Sequence, residues 1–302
     1  SKDVPLSAGN PTGFYPVNVG SILNKGFELA LGGYFISTRN VQWGWNANFS
    51  HYKNEILSLD SSISEEGIKG SNYIYKVGGS LYEAYMHRFA GVDPETGKAL
   101  WYKKVIDESG NWSGQSETTD VFTESDQYEL GSVLPCLYGG FGTTLNLYGF
   151  DISAQFSFQL GGRYYDGTYQ ALMHTSSGVG TAWHSDVLKS WTAENPDTDI
   201  PRLDGDTSVG QTAVDNYLIS SDYLSVNNVT IGYSLPATML SKAKIAGVRI
   251  YVAGDNLAVV SARKGVDPRY SMGLGSLTSG SGLNSGSYSA MRTIAGGVTL
   301  TF

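Results

Sequence analysis

At 302 residues, 41% hydrophobic and 12% aromatic, the chain can form one large domain or two ordinary ones and is too aromatic to be disordered. A net charge of −8 with no basic cluster argues against nucleic acid as a partner, since phosphate binding needs a basic face. No run of about 18 uninterrupted apolar residues exists, which excludes a transmembrane helix. It leaves open a membrane β-barrel, whose alternating strands keep mean hydropathy low.

The opening "SKDVPLSAGNPTG" lacks the apolar core of a signal peptide, so export is expected to be directed elsewhere or the start to lie upstream. Beyond it, period-2 alternation predicts strands. In "KGFELALGGYFIS", Phe27, Leu29, Leu31, Gly33 and Phe35 share one face, and Glu28, Ala30, Gly32 and Tyr34 the other. After the turn "TRN", "VQWGWNANFSHYKN" sets Val41, Trp43, Trp45, Ala47 and Phe49 against Gln42, Gly44, Asn46, Asn48 and Ser50, which completes a hairpin. "SLYEAYMHRFAGV" and "KALWYKKVI" flank "DPETG", a turn by its Pro and Gly, and predict a second hairpin.

Further along, Phe141, Thr143, Leu145 and Leu147 precede a turn at Tyr148 and Gly149. Phe150, Ile152, Ala154, Phe156, Phe158 and Leu160 follow it, with Asp151, Ser153, Gln155, Ser157 and Gln159 facing the other way. "YLSVNNVTIGYSLP" and "VRIYVAGDNLAVV" form another pair, and the chain closes on "MRTIAGGVTLTF", with Ile294, Gly296, Val298, Leu300 and Phe302 on one face. The total is about nine strands, each near the ~9–11 residues that a tilted membrane strand needs.

Connection lengths separate two all-β architectures. Short turns follow residues 36, 93, 147 and 236, while the connections at about 56–80, 106–135, 162–221 and 261–287 are long. A strict alternation of short and long connections is the habit of outer-membrane barrels, with tight periplasmic turns and long extracellular loops. A soluble β-sandwich shares the dyad but would not gather all its long loops at one end. Aromatic residues at strand ends, Tyr148, Phe150, Tyr233, Tyr164 and Tyr165, fit interfacial girdles, and the polar faces fit a wet lumen.

These stretches carry a resemblance. "PVNVGSILNKGFELAL", "NANFSHYKNEI", "FAGVDPETGKALWY", "YGGFGTTLNLYGFDISAQFSFQLGGRYYD", "SSDYLSVNNVTIGYSLP", "VRIYVAGDNLAVV" with "KGVDP", and "TIAGGVTLTF" resemble, in order and spacing, the C-terminal part of SusC/RagA-type TonB-dependent transporters. Ser225 and Asn227 depart from the family, which tends to carry basic residues there, and "SMGLGSLTSGSGLNSGSYS" is unusually rich in Gly and Ser.

The resemblance implies an all-β, transmembrane antiparallel barrel of which residues 1–302 are the C-terminal portion. The whole barrel would be 22-stranded, a size whose lumen is plugged, with the N-terminal plug and remaining strands outside this sequence. It further implies the Gram-negative outer membrane, energy delivered by TonB through the plug, and a SusD-like surface lipoprotein as lid. The cargo it implies is an oligosaccharide or a peptide. An odd strand count would place Phe302 in the periplasm, where it resembles the terminal signal read by barrel-assembly machinery.

For ligand or lid contact, the loop 162–221 offers Tyr164, Tyr165, Tyr169, Trp183, His184 and Trp191, whose rings suit stacking on sugars or packing on peptides. For any one of these rings the more ordinary role is to build a small core of the loop itself or to meet the lid. Asp197, Asp199, Asp204 and Asp206 in "NPDTDIPRLDGD" are oxygen donors of the kind Ca²⁺ takes, but without the EF-hand pattern, and neither metal nor cofactor is expected.

Catalysis finds no support. There is no G-x-S-x-G elbow, and His51, His87, His174 and His184 have no triad spacing; adjacent residues in "HSD" at 184–186 cannot form a relay. The lone Cys136 excludes an internal disulfide, and four His with one Cys give no zinc-like spacing. An adhesin or structural barrel is the alternative class, with a barrel hydrolase behind it.

Overall fold

The computed structural model describes residues 2–3, 14–15, 20–60, 65–173, 182–203, 214–240, 245–265, 267–270 and 290–302. The first hairpin is β1 (Gly20–Ser37) and β2 (Val41–Leu59). After a two-residue pair, Ile68–Lys69 with Ile74–Tyr75, come five further short strands: β3 (Glu83–His87), β4 (Phe89–Val92), β5 (Ala99–Ile106), β6 (Trp112–Thr119) and β7 (Gln127–Ser132). The second long hairpin is β8 (Leu137–Leu147) and β9 (Phe150–Leu160). Then come β10 (Arg163–Tyr165), helix α1 (Gly167–Met173) and β11 (Leu218–Ser220). The last three strands are β12 (Tyr223–Ser234), β13 (Gly247–Ser261) and β14 (Thr293–Thr301).

Seven long strands form one sheet in the order β14-β13-β12-β9-β8-β2-β1, every pair antiparallel. Among the described residues this wall has seven strands rather than the nine or so expected from alternation. The pair around "DPETG" is a hairpin, β4 with β5, but it joins β6 in a separate three-stranded sheet. β3 pairs with β7 in another. The reason lies in length and pattern: β4 has four residues, and the eight of β5 put Trp101 at zero exposure inside a compact core. Strands buried on a local core need not span a bilayer.

The register carries the dyad across the wall. Leu29 lies opposite Phe49, Ala47 opposite Phe141, Phe141 opposite Phe156, Ile152 opposite Ile231, Ile231 opposite Val252, and Val252 opposite Gly296. One face is therefore continuous and apolar, with Phe141 stacked on Phe156 at 4.8 Å and Phe35 against Trp43 at 4.9 Å. Tyr148 and Gly149 make the two-residue turn between β8 and β9, both with positive φ, as a type I′ hairpin requires.

The apolar face of this wall lies open, and the polar face is buried where the loop end covers it. Phe27 is 57% exposed and Ile294 71%, while on the polar face Gln159 is 1% exposed and Ser225 is fully buried. An apolar surface this wide has no place in water. All three long connections, 60–136, 161–222 and 262–292, leave one end of the wall, and the turns 38–40, 148–149 and 235–246 occupy the other. β14 runs toward the short-turn end, so Phe302 lies there, 86% exposed. Seven crossings preserve the side that nine would have given.

The only extended apolar core among the described residues sits over the loop end of the wall. Ala84, Met86, Ala99, Trp101, Val133, Tyr165, Val214 and Tyr217 form it, with contributions from two of the three long connections. The described parts of those two connections thus form a folded cap with its own interior.

Candidate functional site

The polar face of the wall is a lattice of cross-strand bonds. Asn54 donates to Asn24 at 2.7 Å, Asn228 to Asp255 at 2.7 Å, and Ser157 to Asn227 at 3.1 Å. Near the short-turn end Arg249 on β13 grips Asp151 on β9, its Nε donating to Oδ1 at 2.9 Å and its Nη2 to Oδ2. Between them runs β12, whose Gly232 leaves the space: a Cβ there would lie 2.5 Å from Asp151 Oδ1 and 2.6 Å from Arg249 Nη2. Gly232→Val is therefore expected to part the pair and destabilise the wall by about 1–3 kcal/mol. A lowered unfolding temperature of the purified protein, larger than in Thr230→Val on the same strand, which loses only one hydrogen bond to Asn228, checks this.

At the loop end the polar face deepens into a hollow of about 280 Å³ lined by Tyr52, Tyr82, Tyr138, Gln159 and Tyr164 among others. Gln159 Nε2 donates to the Ser221 carbonyl at 3.2 Å and to its hydroxyl at 2.6 Å, which fixes the amide. Gln159 Oε1 and the Tyr164 hydroxyl, both buried, have no partner among the described residues. Buried polar atoms normally find partners, so an acceptor and a hydroxyl left over in an aromatic hollow suit a ligand bearing N–H or O–H groups.

A second hollow, about 510 Å³, opens within the cap, lined by Phe89, Tyr169, Met173, Asp199, Tyr217 and Arg263 among others. Arg263 lies 3.4 Å above the Tyr169 ring centroid. Its Nε is 2.7 Å from Asp166 Oδ2, an ion pair in contact, although neither atom achieves hydrogen-bond geometry. Burial pushes the Tyr217 hydroxyl up to about 12 and raises Tyr169 too, so both are neutral donors at physiological pH. Asp215 is also raised by burial, partly offset by the Phe89 N–H that it accepts at 2.7 Å.

The predicted loop residues divide. Tyr164 and Tyr165 are 1% and 0% exposed, so they stand in the interior of the cap and not in an interfacial girdle. Tyr165 belongs to the core, and Tyr164 lines the first hollow. Tyr169 lines the second hollow and donates to Asp186 at 3.1 Å. His184 meets Tyr169 edge-on at 4.8 Å and accepts from the Asp186 N–H at 3.1 Å, capping a short 3-10 turn. Trp191 donates to the Pro94 carbonyl at 3.1 Å and packs on Gly97, whose φ of 72° forms the "DPETG" turn. Trp183 is exposed.

Asp197 and Asp199 are exposed, and Asp204 and Asp206 lie outside the described residues. Among the described residues no group of three or more metal-ligating side chains occurs.

Alternation did not reveal Arg263 or Arg269, which come from irregular chain after β13. Arg269 is held by both oxygens of Asp267, at 2.8 and 2.6 Å, and donates to Ser225 at 3.0 Å and Asn227 at 3.1 Å. Those are the two positions where basic residues were expected and Ser and Asn found. The cation is supplied from the following loop, and "KGVDP" is its anchor, with Asp267 and Pro268 both buried.

No protein-family profile matches the chain. Curated relatives include the TonB-dependent receptor P26 of Formosa agariphila, 29% identical over 303 residues, covering 94% of this chain and 30% of the relative. TonB-dependent receptor SusC of Bacteroides thetaiotaomicron is 25% identical, covering 85% of this chain and 25% of itself. Among solved structures, the RagAB peptide importer in its closed-closed state matches 100% of this chain and 32% of its own, at 25% identity and a TM-score of 0.76. A RagAB peptide transporter structure covers 88% of this chain and 29% of its own at 27% identity and a TM-score of 0.70. The chain spans about three tenths of the length of the first of these relatives.

Proposed function

From a chain that is a relative of the SusC/RagA-type TonB-dependent transporters and has the fold of part of their β-barrel, we propose an outer-membrane importer. In this reading residues 1–302 are the C-terminal portion of its wall, and the plug and other strands belong to the same transporter. The observation that carries it is the wall itself: an apolar face open to the surroundings, a bonded polar face, and every long connection at one end. An isolated sheet with two free edges is not a membrane structure, because each edge leaves backbone groups unpaired in lipid. β1 and β14 therefore meet further strands.

The loop-end hollows then face outward, where cargo arrives. Tyr52, Tyr138 and Gln159 on the wall and Tyr169, Tyr217 and Arg263 in the cap are the residues placed to meet it. Aromatic faces with a few fixed polar groups suit an oligosaccharide or a peptide. A SusD-like lipoprotein would close over the cap, and TonB would act on the plug. The kinship to transporters favours import over an adhesin or a barrel hydrolase.

Purification from outer membranes in mild detergent, with every co-purifying polypeptide identified by mass spectrometry, tests this. A plug-bearing segment with a surface lipoprotein is the expected result. Recovery of the 302-residue chain as a water-soluble folded monomer would overturn it.

A further inference from the structure

The apolar face of the wall ends differently on its first two strands than on the others. Toward the loop end β1 presents Leu31, Leu29 and Phe27 on that face and then Lys25, and β2 presents Ala47 and Phe49 and then His51 and Lys53. The register sets these changes side by side: Leu29 lies opposite Phe49, Phe27 opposite His51, and Lys25 opposite Lys53. On β8, β9, β12 and β13 the same face stays uncharged to the loop end, with Leu137 opposite Leu160 and Leu224 opposite Val260.

Two lysines directly opposite one another bring their Cβ atoms to about 4.5–5.5 Å and repel. One carboxylate answers them: Glu55 Oε2 lies 3.1 Å from Lys53 Nζ and accepts from one of its three N–H donors. Lys25 makes no ion pair or hydrogen bond among the described residues. His51 Nδ1 is 2.5 Å from the Cys136 carbonyl, which only accepts, so the ring proton sits on Nδ1 and Nε2 is left for another partner. The His51 ring is steadied by Phe27, 5.7 Å away between centroids. Lys25 and Lys53 follow the last residues of the apolar band, where a tilted strand leaves hydrocarbon. In the importer reading, on which this inference rests, that level is the headgroup region of the outer leaflet.

We infer that Lys25, His51 and Lys53 bind the phosphate of an outer-leaflet lipid whose acyl chains lie along Phe27, Leu29 and Phe49. One phosphate has oxygens for all three side chains and supplies the negative charge that the opposed lysines lack. Interface anchoring alone does not require cations in register on two strands, and four neighbouring strands reach the same level without one.

Native mass spectrometry of the full-length transporter in detergent, titrated with monophosphoryl lipid A and with the same lipid after removal of its phosphate, tests this. The phosphorylated lipid is expected to bind about tenfold more tightly, and Lys25→Gln and Lys53→Gln each to weaken it about fivefold while heat-modifiable mobility is kept. Equal binding of the two lipids, or binding unchanged in both variants, overturns the site. Displacement of the lipid by equimolar inorganic phosphate overturns it in favour of a free anion. Loss of folded mobility in Lys25→Gln with lipid binding unchanged assigns that lysine to a carboxylate of the adjoining strand and also overturns it. A transporter that purifies from the membrane and fails these tests loses this site alone, whereas a water-soluble monomer removes the importer reading with it.

Discussion

A lysine at Ala154 is expected to keep the protein from reaching its folded state in the outer membrane, whereas a lysine at the next residue, Gln155, is expected to be tolerated. Both lie mid-way along β9, one residue apart, so strand propensity and depth are shared. They differ only in face. Ala154 sits opposite Thr143 and Val229 on the apolar side, in a row with Ile152 and Phe156. A cation facing lipid near the bilayer midplane costs about 2–4 kcal/mol.

Gln155 points to the polar side, over Gly142, where a Cβ would come within 2.3 Å of the Gln155 amide oxygen, so the glycine already makes room for a long side chain. Outer-membrane fractions run on gels without heating separate folded from unfolded barrel. Equal loss of the folded band in both variants, or loss in Gln155→Lys alone, would contradict the assigned faces.

The second large effect is expected in the cap. Trp101→Ala should cost about 3–5 kcal/mol, the range for emptying a buried tryptophan site. Trp101 has no exposure and meets Phe89 at 5.4 Å and Phe122 at 5.0 Å, both edge-on. It joins strands from one connection to Tyr165, Val214 and Tyr217 from another. Because the wall shares few of these side chains, the loss should stay local: limited proteolysis should cleave within 60–136 and 161–222 while the wall keeps its heat-modifiable mobility. Uptake should fall, since the hollows around Tyr169 and Gln159 are bounded by the same cap. If the cap stayed protease-resistant, or if the wall unfolded with it, the two would not be separate units of stability.

The two variants also distinguish what the apolar residues of each part are for. On the wall they face outward and gain nothing from one another beyond cross-strand contact, so in the importer reading their value depends on lipid. In the cap they face one another and stabilise by burial in the ordinary way. One chain thus carries two kinds of hydrophobic surface. Composition averages them, which is why a modest overall hydrophobic content coexists with so much exposed Phe, Leu and Ile.

The wall was legible in the sequence because its signal is local. Alternation over ten or more residues in β1, β2, β8, β9, β12 and β13 fixes which side chains share a face, and short turns fix which strands pair. The spacing of long and short connections likewise told which ends lie together. What alternation cannot distinguish is a strand that spans a membrane from one that packs on a small core, since both repeat every second residue. β4 and β5 were therefore counted with the wall, and only their pairing with β6 and the burial of Trp101 removed them from it.

The candidate site was less legible for the same physical reason. Tyr164 and Tyr165 are adjacent rings in a loop, and no local rule says that they turn inward; that depends on Tyr217 and Val214, some fifty residues on. Arg263 and Arg269 are single cations in irregular chain, and only the folded loop brings one over Tyr169 and the other to Ser225 and Asn227. The amino-acid sequence by itself determined the periodic parts: strand, face, turn and the end at which the loops emerge. The tertiary structure alone decided which rings are core and which line a hollow, because long-range packing and ion pairing have no period to read.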